Sequence, residues 1–161
     1  MIKRRKEGKL PNPVNYSLWL LNYKPRSVKE MTLALKKRGF SPEVVYETID
    51  SLLRWNYLDD DAYKHYLIEK RKRNNPKGRN FVCHELADAG IACGFEMEDL
   101  YTDEEERELI RKLLHQWQRR GEDFTENRDR YFQRLYRRGF TISNIRSELG
   151  KYEDFSENDF E

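Results

Sequence analysis

The sequence predicts an all-α protein built from three tandem three-helix repeats, on three grounds. β-Branched residues and turn formers are scarce: the 161 residues include 17 Val, Ile and Thr together and 13 Gly and Pro, few for a sheet protein with its strands and tight turns. A pattern Leu-x-x-x-Gly-[Phe/Ile] occurs three times, as LKKRGF (Leu35 to Phe40), LADAGI (Leu86 to Ile91) and LYRRGF (Leu135 to Phe140). Its glycines, Gly39, Gly90 and Gly139, stand 51 and 49 residues apart, a period at which tandem helical arrays arise. Finally, apolar residues recur at helical spacing, most clearly Leu109, Leu113 and Trp117 beside Ile110 and Leu114, the stripe of an amphipathic helix.

Residues 1–12 are expected to be a flexible basic segment, and residues 13–56 form the first repeat. Its first helix runs from Val14 to Tyr23 and breaks at Lys24-Pro25-Arg26. Ser27 starts the second, which ends at Arg38, because Gly39 supplies the left-handed conformation that stops a helix and Phe40 folds back on the last turn. Ser41 as N-cap, Pro42 at the first helical position and Glu43 in the first turn open the third, which reaches about Trp55.

The second repeat, 57–101, begins with Tyr57-Leu58-Asp59-Asp60, an apolar latch followed by a cap. A helix from Asp60 to Arg73, breakers at Asn74 to Gly78, a helix starting near Gly78, the stop at Gly90, the latch at Ile91 and a new helix follow. The third repeat, 102–150, repeats the plan with a helix from Asp103 to Arg120, a break at Gly121, a start at Asn127, the stop at Gly139 and the latch at Phe140. Residues 151–161 are an acidic tail.

Hydrophobic and charged residues each make up 37% of the chain, so surface is over-supplied relative to interior. With 21 aromatics, 17 leucines and a net charge of +2, the chain is nonetheless unlike a disordered one. Three small neighbouring cores reconcile the two facts. A compact chain of this length has a radius of gyration near ~15 Å, and an extended row of repeats is expected to exceed it. No stretch approaches the ~20 apolar residues of a membrane span, and the N-terminus leads into no apolar signal core, so a cytoplasmic protein without a membrane partner is expected. Cys83 and Cys93 are expected to be reduced and to behave as small buried apolar residues.

Enzymatic readings find little support, and no cofactor is expected. His84-Glu85 has Asp88 where the zinc-protease motif needs its second histidine. His65, His84 and His115 lie in different repeats, which gives no spaced ligand set for a metal. Asp59 to Asp61 and Asp103 to Glu106 sit at helix starts, where carboxylates cap helices and oppose their dipoles. There is no phosphate-binding glycine loop and no nucleophile elbow. Trp19, Trp55, Trp117, Tyr63 and Tyr66 stand at helical spacing beside leucines and are expected in the core.

Two basic clusters are the candidate partner-binding and phosphate-binding residues. Arg130, Arg134, Arg137 and Arg138 fall on one helical face, while Tyr131, Phe132 and Leu135 lie on the adjoining side. Lys70, Arg71, Lys72, Arg73, Lys77 and Arg79 run through a helix end and the loop that follows. Guanidinium groups bind phosphate bidentately, and cations on a loop can track a phosphate backbone. A solvated surface face is the competing account of both. Charge is also segregated, with five bases and one acid in residues 3–9 and five acids and no base in 152–161. That distribution suits a partner combining protein and nucleic acid.

RGFSPEVVYETIDSLLRWNYLDDDAYKHYLIEKR, KGRNFVCHELADAGI and YFQRLYRRGFTISNIRSEL, in this order and spacing, resemble the RecX family over about Asn15 to Leu149. The resemblance implies tandem three-helix repeats in an elongated, curved array. It further implies a non-enzymatic, monomeric modulator of the RecA recombinase, in the first instance an inhibitor, that lies in the filament groove on single-stranded DNA and limits filament growth, ATP hydrolysis and strand exchange, and so regulates DNA repair and recombination. Double-stranded DNA is a second expected partner. The alternative is an independent DNA-binding protein or transcription regulator using one repeat as a helix-turn-helix.

Overall fold

Helix starts and stops written into the sequence set the architecture. The computed structural model describes residues 10–73, 75–121 and 127–151; the basic stretch 3–9, Asn74 and the acidic residues 152–161 lie outside them. Among the described residues the regular structure is entirely α-helical: α1 Pro13–Tyr23, α2 Val28–Arg38, α3 Pro42–Arg54, α4 Asp60–Arg73, α5 Arg79–Asp88, α6 Met97–Leu100, α7 Asp103–Gln118, α8 Arg128–Tyr136 and α9 Ile142–Gly150.

The chain divides into two compact units, with the division inside α4 between Tyr63 and Lys64. In the first, α1, α2 and α3 enclose Leu20, Met31, Leu35, Phe40, Val45, Leu52 and Leu58. The expected start signals operate through specific bonds. Ser27 Oγ accepts the Glu30 N–H at 3.1 Å, and the Glu30 carboxylate accepts the Ser27 N–H at 3.2 Å, which satisfies two of the unpaired N–H groups at a helix start. Ser41 Oγ accepts the Val44 N–H at 3.4 Å. Asp59 Oδ1 caps α4 through the N–H groups of Asp61 and Ala62, and Asp60 Oδ1 reaches across to the Val28 N–H at 2.8 Å, the first of α2.

The second unit packs α7 against α9 and α8 against α9, around Val82, Leu86, Ile110, Leu114, Trp117, Leu135, Phe140 and Ile145. Gly39, Gly90 and Gly139 all take positive φ, at 103°, 80° and 81°, as the repeated stop requires. Gly78 and Gly139 have an additional duty. The Gly78 N–H donates to the Arg138 carbonyl at 2.9 Å and the Asn80 N–H to the Gly139 carbonyl at 3.1 Å. A Cβ on Gly78 would collide with the Phe140 backbone, and one on Gly139 with the Phe81 backbone. The start of α5 and the α8–α9 turn therefore touch main chain to main chain.

Glu106, fully buried in α7, serves the starts of other helices, while Thr102 and Glu105 cap α7 itself. The Glu106 carboxylate accepts the Arg79 N–H of α5 at 2.8 Å, the Thr141 N–H before α9 at 3.1 Å and the Asn144 side-chain amide at 2.7 Å. One carboxylate thus serves two foreign helix starts, where the helix dipole favours negative charge.

The structure corrects three expectations. Cys83 and Cys93 are joined as a disulfide with Cα atoms 5.4 Å apart, because the left-handed turn at Gly90 sends the chain back along α5, with the Ile91 N–H on the Leu86 carbonyl at 2.8 Å; Cys83 is half-buried and Cys93 exposed. Trp19 and Trp55 are not core residues but stand 54% and 56% exposed. Trp19 stacks in a surface ladder between Tyr16 and Tyr23, and Trp55 sits beyond the end of α3 at the turn into left-handed Asn56. The helix after Ile91 is a single turn, α6, since residues 91–94 run as irregular chain past the disulfide.

Candidate functional site

The α8 amphipathicity that buries Tyr131 and Leu135 turns the other face outward, and that face lines a cleft of about 620 Å³. Its walls are Arg130, Arg134, Arg137 and Arg138 with Asp129, Gln133 and, from the loop before α5, Lys77. Five cations thus meet one carboxylate. Arg130 and Arg137 are exposed, whereas Arg134 and Arg138 are half-buried.

Trp117 of α7 supports the site from within the core. Its indole is 2% exposed and packs on Tyr131 at 5.9 Å between ring centroids. The Arg134 guanidinium carbon lies 3.8 Å from the Trp117 ring and that of Arg138 5.9 Å, so the ring face stabilises both cations and limits their conformers. Arg138 is further fixed by Nη1 donating to Asn75 Oδ1 at 2.8 Å and to the Pro76 carbonyl at 3.2 Å.

Lys77 is positioned through its main chain. Its N–H donates to the Arg71 carbonyl at 3.2 Å, and its carbonyl accepts the buried Tyr101 hydroxyl at 2.7 Å. The ammonium lies 4.4 Å from the centre of the Phe81 ring. Burial holds the Lys77 pKa below the usual lysine range, and the positive charges of Arg138 and Arg71 push it the same way against Glu85. Burial, then Arg134, likewise lowers Arg138, although a guanidinium stays protonated in water. The cations in this cleft repel one another, and a multivalent anion would relieve that repulsion.

The second cluster is divided. Only Lys77 joins the α8 arginines. Arg71 makes a bidentate pair with Glu85; Lys72 binds Glu105 at 2.7 Å and the Leu100 carbonyl at 3.2 Å; Arg79 pairs with Asp103. These three are engaged in holding the second unit together. Lys70 lies over the Tyr66 ring at 5.6 Å, and Arg73, with a 78% exposed side chain, sits 3.5 Å from Glu69. Sequence reasoning missed Trp117 as the support for Arg134 and Tyr101 as the anchor of Lys77. Both contacts join residues distant in the chain, and no local pattern announces them.

Residues 14–52, which make up α1, α2 and most of α3, match the family model of the first three-helix domain of RecX. Curated proteins named Regulatory protein RecX align over more of the chain. That of Lactobacillus johnsonii is 35% identical over 97 residues, 59% of this chain and 36% of the relative. That of Caldanaerobacter subterraneus subsp. tengcongensis is 28% identical over 142 residues, 84% of this chain and 68% of the relative. This chain is thus similar to RecX proteins over most of its length. It spans only part of these RecX relatives, between 36% and 68% of their length. The crystal structure of RecX from Lactobacillus salivarius shares the fold, with a TM-score of 0.70 at 21% identity over 88% of this chain and 94% of that one. The α8 cleft lies outside the residues matched by the model of the first RecX domain.

Proposed function

We propose that this RecX-like chain is a non-enzymatic modulator of the RecA recombinase, which binds the recombinase filament on single-stranded DNA and restrains its ATP hydrolysis, extension and strand exchange. The regulatory name of its relatives supports the general role, and the RecX resemblance supplies the partner. The observation that carries the docking mode is the α8 cleft, in which Arg130, Arg134, Arg137, Arg138 and Lys77 converge. A preorganised guanidinium array recognises phosphate oxygens or carboxylates by bidentate, charge-assisted bonds, and both occur on a nucleoprotein filament. The protein acts as a monomer in the cytoplasm.

The test is titration of the protein into recombinase hydrolysing ATP on single-stranded DNA. Hydrolysis is expected to fall in proportion to bound protein, with shorter filaments and slower strand exchange. Unchanged hydrolysis, filament length and strand exchange would defeat the proposal, and sequence-specific duplex binding without recombinase would point to an independent DNA-binding protein instead.

A further inference from the structure

The Cys83–Cys93 pair has no part in the basic cleft, and its setting is that of a reversible site. Cys83 lies half-buried on α5, Cys93 is exposed in the segment after the Gly90 stop, and their Cα atoms are 5.4 Å apart, within the span a disulfide bridges. The bond clips a surface segment to a helix. Other contacts also hold its surroundings: Val82, Leu86 and Ile91 are buried around it, and the Ile91 N–H on the Leu86 carbonyl holds the turn. Beyond Cys93, the segment is tied down by Lys64 on Glu96 at 3.0 Å and by buried Met97.

We propose that Cys83 and Cys93 form a thiol–disulfide modification site, reduced to the dithiol by thiol buffers and oxidised by low-molecular-weight disulfides such as glutathione disulfide. The exposed Cys93 thiolate attacks one sulfur of glutathione disulfide, forming a mixed disulfide as one glutathione thiolate leaves. The Cys83 thiolate then attacks the Cys93 sulfur and expels the second glutathione. Two protein thiols become one disulfide, and their two protons end on two molecules of glutathione. Oxidation fixes Cys93 to α5, and reduction frees the stretch 92–95 between buried Ile91 and the anchored Glu96 and Met97. The same helix carries Phe81, which lies under Lys77 and Arg71, and Glu85, which holds Arg71, so the clip is built into the element that backs the cleft.

The experiment equilibrates the full chain with defined ratios of reduced to oxidised glutathione and reads intact mass after acid quench and alkylation. Wild type is expected to interconvert between a dithiol that takes up two alkyl groups and a disulfide that takes up none. The oxidised form should melt higher by roughly 5–10 °C, as closing a short loop predicts, and dithiothreitol should reverse both changes. Cys83→Ser is expected to stop at the mixed disulfide on Cys93, and Cys93→Ser to remain unmodified. Two free thiols at every ratio, stable glutathione adducts on wild type, or a disulfide that dithiothreitol leaves intact in the folded protein would each overturn the proposal. Because wild type alone gives the primary readout, the test does not depend on either variant folding.

Discussion

Lys77 shows how charge and burial meet in one side chain. Its pKa is lowered first by desolvation and then by Arg138 and Arg71, so it loses its proton at a lower pH than the ordinary 10.5 of a lysine. A bound anion favours the charged form and raises that pKa again. Anion affinity is therefore expected to be full below the depressed Lys77 pKa and to decline as pH rises through it, with proton uptake on binding in that alkaline window. Lys77→Arg keeps the charge and should abolish the decline, which isothermal titration with a short single-stranded oligonucleotide in buffers of different ionisation enthalpy can measure. Trp117 gives a second case of a residue with two duties. Its place in the core follows from the helical stripe it shares with Leu109 and Leu113, but its π contact with Arg134 depends on where α8 docks, which local sequence does not encode.

Helix ends were the most legible feature, because a cap or stop acts within four residues of itself. Ser27, Pro42 after Ser41 and positive-φ Gly39, Gly90 and Gly139 are local devices, and each is found where its residue types predict. Contacts over a longer range were hidden. The Cys83–Cys93 bond, the exposure of Trp19 and Trp55 and the reduction of α6 to one turn all depend on how the chain returns after a stop. The candidate site was half legible for the same reason: the α8 arginines share a face by spacing alone, whereas Lys72 and Arg79 turn out to serve Glu105 and Asp103. Two substitutions separate a stop from a contact. Gly39→Ala meets open space and carries only the left-handed backbone penalty, about 1 kcal/mol. Gly139→Ala adds a collision with the Phe81 backbone and is expected to cost more than about 2 kcal/mol by urea unfolding. Glu106→Ala leaves the Arg79 and Thr141 N–H groups without their acceptor and should cost about 2–4 kcal/mol. An unchanged denaturation midpoint would remove Glu106 as the tie between α5, α7 and α9.

At the scale of the whole molecule, the low apolar share is explained by small cores in two compact units rather than one large interior. The docking surface proposed for a partner is the α8 cleft, where five cations meet one carboxylate. The direct measurement is filament binding as a function of salt, comparing wild type with the Arg134→Ala, Arg138→Ala double variant on recombinase assembled on single-stranded DNA, with circular dichroism to establish equal helicity. Binding of wild type should weaken linearly in log affinity against log salt concentration, and the double variant should bind more weakly with a slope shallower by about 2. Equal affinity and equal slope in a folded double variant would contradict the assignment of the α8 cleft as the docking site.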